Sequence, residues 1–115
     1  KDLLKVGGEN VDPAEVEGFL LSHPAVEQVQ VVGAADALLS EVVCACVVLK
    51  PGQSLNNDDL DAFCRGKLAS FKIPRYTLLM EAMPMTPSGK AQKFILRERA
   101  AEALALGPQV RGGGQ

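Results

Sequence analysis

The chain has 115 residues, 47% of them apolar and 23% charged, a size and mix that suit one globular domain and exclude two ordinary domains or disorder over most of the length. No apolar run approaches the roughly 20 residues of a membrane helix, and Lys1 to Lys5 is far too short an apolar stretch for a signal peptide. Twelve Lys/Arg against fourteen Asp/Glu give a net charge of −2, which speaks against a strongly basic nucleic-acid binder.

In chain order, the first pattern is Lys5-Val6-Gly7-Gly8-Glu9-Asn10-Val11, whose paired glycines permit positive φ and close approach of another backbone or a ligand. Asp12-Pro13-Ala14-Glu15 starts a helix: Asp12 caps, Pro13 takes the first helical position, and Val11 and Val16 fall at staple positions. Val16, Phe19 and Leu20 mark its inner face, and Ser22-His23-Pro24 ends it. Val26 to Val32 alternates around Gln28 and Gln30 and predicts a half-buried strand, followed by a turn at Gly33-Ala34-Ala35-Asp36. Glu41 to Leu49 is apolar and β-branched, the signature of a central strand buried on both faces, closed by Lys50-Pro51-Gly52.

Asn56-Asn57-Asp58-Asp59 opens a second helix with an apolar face of Leu60, Phe63, Cys64 and Leu68. A third strand is predicted over Tyr76 to Met80. A stiff loop, Met83-Pro84-Met85-Thr86-Pro87-Ser88-Gly89-Lys90, follows. A last helix from Lys93 presents Leu96, Ala100, Ala103 and Leu104 on one side. The glycine-rich tail over 107–115 is expected to be flexible. The expected fold is α+β: a small antiparallel sheet of about three strands with packed helices and a short glycine-loop hairpin, rather than a βαβ series.

Charge is unevenly spread. Residues 1–64 hold three Lys/Arg against eleven Asp/Glu, whereas residues 65–99 hold eight Lys/Arg against Glu81 and Glu98, an excess suited to a phosphate-rich small ligand. Cys44, Cys46 and Cys64 are an odd set and there is one histidine, His23. Neither a disulfide framework nor a metal site is expected, and buried thiols imply a reducing, cytoplasmic setting. Gly89-Lys90 is not a phosphate-binding Walker loop, because position 84 is Pro and position 91 is Ala. What remains is one lysine on a stiff loop, able to deliver a point charge to developing negative charge.

Three segments in order carry a resemblance. Lys1 to Glu17, Phe71-Lys72-Ile73-Pro74-Arg75-Tyr76 and Pro84 to Lys93 resemble the hinge-and-glycine motif, the Phe-Lys-x-Pro segment and the catalytic-lysine motif of the adenylate-forming enzymes. That superfamily includes acyl-CoA synthetases, luciferase and peptide-synthetase adenylation domains. The resemblance runs from Lys1 to about Ala105 and is strongest to fatty-acyl or aryl CoA ligases. It implies a C-terminal mobile domain over 1–106, cut from a longer chain whose large N-terminal domain binds ATP, Mg2+ and a carboxylic acid, a fatty acid by the same resemblance.

The resemblance further implies Lys90 as the adenylation lysine and Lys1 as the hinge. It implies Gly7 and Gly8 in the pantetheine passage, and Phe71, Lys72 and Arg75 near the coenzyme A nucleotide. No metal ligand falls on this segment, no nucleic acid or transmembrane segment is implied, and the domain alone should be inactive. Leu39 stands where relatives often carry an aromatic that contacts coenzyme A, and leucine cannot stack in that way. The competing expectation is a free-standing, non-enzymatic α+β module binding a nucleotide or a protein, with Lys90 merely exposed.

Overall fold

The structure, a computed structural model, describes residues 2–105, so the Lys1 hinge and the 107–115 tail lie outside the described residues. Five strands and three helices follow in the order β1 (Leu4–Val6), β2 (Glu9–Val11), α1 (Pro13–Leu20), β3 (Val26–Asp36), β4 (Ser40–Leu49), α2 (Asn57–Cys64), β5 (Tyr76–Met80) and α3 (Lys93–Ala105), with a 3₁₀ turn over Ser70–Lys72. The α+β class holds. Three longer strands and the glycine-loop hairpin, β1–β2, join in one sheet.

β4 is the spine. Along one edge it pairs antiparallel with β3 from Val26↔Leu49 to Asp36↔Ser40. Its other edge is shared: β1 meets it at Val6↔Ser40, and β5 runs beside Cys44 to Val48. The β4–β5 pairing is parallel, which departs from the all-antiparallel sheet expected. Parallel neighbours need a crossover, and the chain from β4 through α2 supplies one, so β4-α2-β5 is a βαβ unit after all. A second departure is that β3 runs straight through Gly33-Ala34-Ala35, leaving the turn at Ala37 to Leu39.

Alternation on β4 separates two cores. Val43, Ala45 and Val47 face α1 and α2, with Val16, Leu20, Leu60 and Cys64. Val42, Cys44, Cys46 and Val48 face α3, with Leu96, Ala100 and Met83. β4 is therefore buried on both faces, as its composition predicts. The helix starts follow their caps. Asp12 accepts from Ala14 N–H at 3.0 Å with Pro13 opening α1, and Asn56 and Asp59 form a reciprocal capping box at 2.8 and 3.2 Å. α2 ends at Cys64, and Leu68 packs on the core from beyond it. Buried Thr77 on β5 donates to Asn57 Oδ1 at 2.7 Å and ties the crossover helix to its strand.

Candidate functional site

Two separate regions hold the residues singled out by sequence. The first is a cleft of about 390 Å³ along the shared edge of β4, lined by Val6, Gly7, Leu39, Val43, Phe71 and Arg75 among others. It exists because β1 and β5 meet the same edge of β4 at different heights, so the glycine turn and the Phe71–Arg75 segment face each other across it. Arg75 is fixed by its N–H bond to Val43 O at 2.8 Å.

The two glycines of that turn have different reasons. Both have positive φ, +57° at Gly7 and +88° at Gly8. Gly7 N–H donates to Leu39 O at 2.9 Å, and a Cβ on Gly7 would lie 2.9 Å from Leu39 Cδ2. Gly7 is thus glycine partly because Leu39 covers it. A Cβ on Gly8 would meet nothing within 4 Å, so its side is open.

The cleft's frame depends on acids the sequence reading did not single out. Glu41 Oε1 accepts the Lys5 N–H at 2.8 Å, extending a β1–β4 junction that otherwise rests on one residue pair. Asp36 accepts from Leu38 N–H at 3.1 Å and Leu39 N–H at 2.9 Å, and its carboxylate lies 4.0 Å from the Arg75 guanidinium. These N–H bonds, and then Arg75, hold the Asp36 carboxyl below its usual range. Lys72 turns to Glu15, with Nζ 3.0 and 3.1 Å from its two oxygens, and lies 5.9 Å from the Phe71 ring centroid. Lys72 is not among the residues lining the cleft.

The second region is the hairpin over 84–92. Met85 and Ala91 bridge, Thr86 N–H donates to Lys90 O at 2.8 Å, and Gln92 N–H donates to Pro84 O at 2.9 Å. The connection is a three-residue loop, Pro87-Ser88-Gly89, in which Gly89 takes the positive φ (+91°) that closes such a loop. Thr86 Oγ1 accepts the Lys90 N–H at 3.1 Å. Backbone and side chains thus stiffen the base on which Lys90 stands, while the Lys90 side chain is exposed and has no ion-pair partner among the described residues.

The uneven charge has an internal use. Arg65 pairs with Asp61, Lys72 with Glu15, Arg75 with Asp36 and Lys93 with Glu17, each a cation of the second half meeting an acid of the first. Half of the eight cations over 65–99 are therefore engaged by acids of the fold, and among the described residues Lys90 is one of the four that are not, with Lys67, Arg97 and Arg99. Burial raises the Cys64 thiol to about 11, with Asp61 adding to the shift, and Cys44 is raised by its hydrogen bond to Cys46 and by burial. All three cysteines are free and buried. Among the described residues no group of three or more His, Cys, Asp or Glu is placed to hold a metal ion, and no helix is long and apolar enough to cross a membrane.

The domain thus combines a mixed sheet, a cleft beside a glycine turn, and a lysine on a stiff hairpin with no ion-pair partner among the described residues. Residues 15–90 match the AMP-binding enzyme C-terminal domain, and the chain belongs to that family. It is 49% identical over 106 residues to the mitochondrial medium-chain acyl-CoA ligase ACSF2 of Mus musculus, covering 92% of this chain and 17% of that protein. It is 51% identical to the putative acyl-CoA synthetase YngI of Bacillus subtilis, covering 92% and 19%. Among solved structures, apo MatB from Rhodopseudomonas palustris superposes with a TM-score of 0.85 at 34% identity, covering 90% of this chain and 21% of that one. The Mycobacterium tuberculosis fatty acyl CoA synthetase superposes with 0.80 at 34%, covering 89% and 20%. The chain thus spans less than a fifth of the length of these curated relatives.

Proposed function

We propose that this domain is the mobile C-terminal part of an acyl-CoA ligase, which activates a fatty acid with ATP and passes the acyl group to coenzyme A. The observation that carries the reading is Lys90, exposed on a braced hairpin with no acidic partner among the described residues, in a chain whose relatives are acyl-CoA ligases. In the first step a carboxylate oxygen of the acid attacks the α-phosphorus of ATP. The bond to pyrophosphate breaks, and an acyl-adenylate remains. Two anions must meet for this, and the Lys90 ammonium offsets their repulsion and stabilises the charge that develops.

In the second step the thiol of coenzyme A attacks the acyl carbon and AMP leaves. The open side of Gly8 and the cleft beside Gly7 leave room for a thin pantetheine chain. Phe71 and Arg75 line that cleft and suit the nucleotide end. Lys72 belongs to the same reading only if it exchanges Glu15 for a phosphate. ATP, any Mg2+ on its phosphates and the acid are held on the larger domain, so acyl chain length is set there. The domain would swing about a hinge at Lys1. Three free buried thiols support a reducing intracellular compartment, cytoplasmic in the sequence reading. The Mus musculus relative is mitochondrial, and fractionation of source cells decides between the two.

The test is Lys90→Ala in the full-length protein. Adenylate formation, followed by pyrophosphate exchange, should fall by about 100-fold or more, while thioester formation from supplied acyl-adenylate stays near the wild-type rate. Equal loss of both steps, or loss of neither, removes the reading.

A further inference from the structure

Every hydrogen bond made by residues 84–92, among the described residues, stays inside the Lys90 hairpin or goes to the first turn of α3. The hairpin is otherwise footed on the apolar core that α3 shares, through buried Met83 before it and Ala91 within it, so its aim follows how α3 and these two residues sit on the body. Leu96 and Ala100 seat α3 against one face of the sheet, but apolar packing alone tolerates sliding and rotation.

A polar clamp removes that freedom. Lys93 opens α3, three residues after Lys90, and its Nζ donates to Glu17 Oε2 at 2.8 Å. The same oxygen accepts the N–H of Val31 at 2.8 Å. β3 is an edge strand, and Val31 turns this N–H away from β4. α1 and α3 lie on opposite faces of the sheet, so the Glu17–Lys93 pair reaches around the β3 edge and pins the start of α3 to both α1 and β3. Both side chains are largely shielded, 17% exposed for Glu17 and 22% for Lys93, where a charge-assisted bond is stronger and less screened than on an open surface.

We propose that Glu17 and Lys93 are positioning residues for Lys90: the clamp fixes the aim of the hairpin, so that the Lys90 ammonium arrives at the reacting phosphate in register. The proposal rests on the adenylation role given to Lys90 above. Both residues are engaged with each other on the α1–α3 side of β3, and neither lines the cleft assigned to the second step. Loosening the clamp therefore slows one half-reaction and spares the other.

The experiment uses the full-length protein and four variants: Lys93→Met, Glu17→Gln, Lys93→Arg and Lys90→Ala. Adenylate formation and thioester formation from supplied acyl-adenylate are measured separately, with melting curves for each variant. Lys93→Met is expected to lower kcat for adenylation about 10-fold or more, since small misplacements of a catalytic group cost that much. KM for ATP and acid should change little, and the thioester step should change less than about 2-fold. Glu17→Gln keeps an acceptor for Val31 N–H, loses the charge, and should move the same way. It carries the test if Lys93→Met fails to fold. Lys93→Arg should recover most of the rate. Proportional loss in both half-reactions, or no loss in either while Lys90→Ala abolishes adenylation, overturns the proposal and leaves a purely structural ion pair. If Lys90→Ala leaves adenylation intact, the role of Lys90 falls first and the clamp's with it.

Discussion

The cleft at Gly7 and the hairpin of Lys90 hang from the same small sheet but are held in opposite ways. The cleft is shaped from outside, by neighbours that close in on a glycine turn: Leu39 over Gly7, Glu41 on Lys5 N–H, Asp36 between Leu39 and Arg75. The hairpin is shaped from within, by its own turn, and is tied to the body at its two feet, through buried Met83 and through Ala91 and α3. In the proposed function the cleft is a passage for a thin chain, which walls must form, and walls need contacts. A charge delivered to a partner site must keep its tip free, so its stiffness has to come from its base. Lys72 and Arg75, both engaged by acids, and Lys90, unpaired among the described residues, illustrate the two conditions.

The comparison breaks most severely in the two cores. Leu60 lies on the α1–α2 side and Leu96 under the hairpin side, both with no exposed surface. Leu60→Ala and Leu96→Ala should each cost about 2–5 kcal/mol in urea melts. If one is nearly silent, the sheet does not carry both regions equally.

The glycine pair sharpens the comparison at intermediate size. Gly7→Ala and Gly8→Leu each force a side chain into positive φ, at about 1–2 kcal/mol of backbone strain. Gly7→Ala also displaces Leu39, so its cost should shrink in a Leu39→Ala background by about 0.5 kcal/mol or more. A Cβ at Gly8 meets no neighbour in the fold, so Gly8→Leu should slow thioester formation more than adenylation. Equal slowing would mean that the open side of Gly8 is not a passage.

A last test is alkaline and touches neither region directly. Cys64 has a thiol raised from an ordinary value of 9.0 to about 11 by burial in the core beneath the cleft. An unfolded chain loses this proton first, so stability is unaffected below pH 9, falls as pH rises from about 9 to about 11, and levels above. Cys64→Ala should flatten that slope in melts across this range.

Local chemistry made much of the fold legible. Asp12-Pro13 announced α1, the apolar β-branched run announced β4 as doubly buried, and Tyr76 to Met80 and Lys93 marked β5 and the start of α3. The direction of β5 was not legible, because strand residues look alike whether the neighbour runs parallel or antiparallel. What decides is the crossover that α2 provides. Gly33-Ala34-Ala35 reads as a turn by composition, yet pairing with Glu41 to Val43 keeps it extended. At the sites, Lys90 and the glycines stood out by motif, but Glu15, Glu17 and Asp36 did not. Glu17 and Lys93 are 76 positions apart, and nothing in an acidic helix residue says which distant cation it will meet. The charge imbalance between the two halves was the one available signal. It reads as a surface for phosphates, and four of its cations are matched to acids of the same chain.

β4 is hydrogen-bonded along both edges and covered on both faces. Its amides can exchange with solvent only when the whole domain opens, whereas the rims that carry Gly8 and Lys90 can breathe at far lower cost. The slowest-exchanging strand is thus the one to which both rims are attached. In the proposed function such a frame turns as a unit, exchanging one rim for the other at the larger domain without any rearrangement inside it.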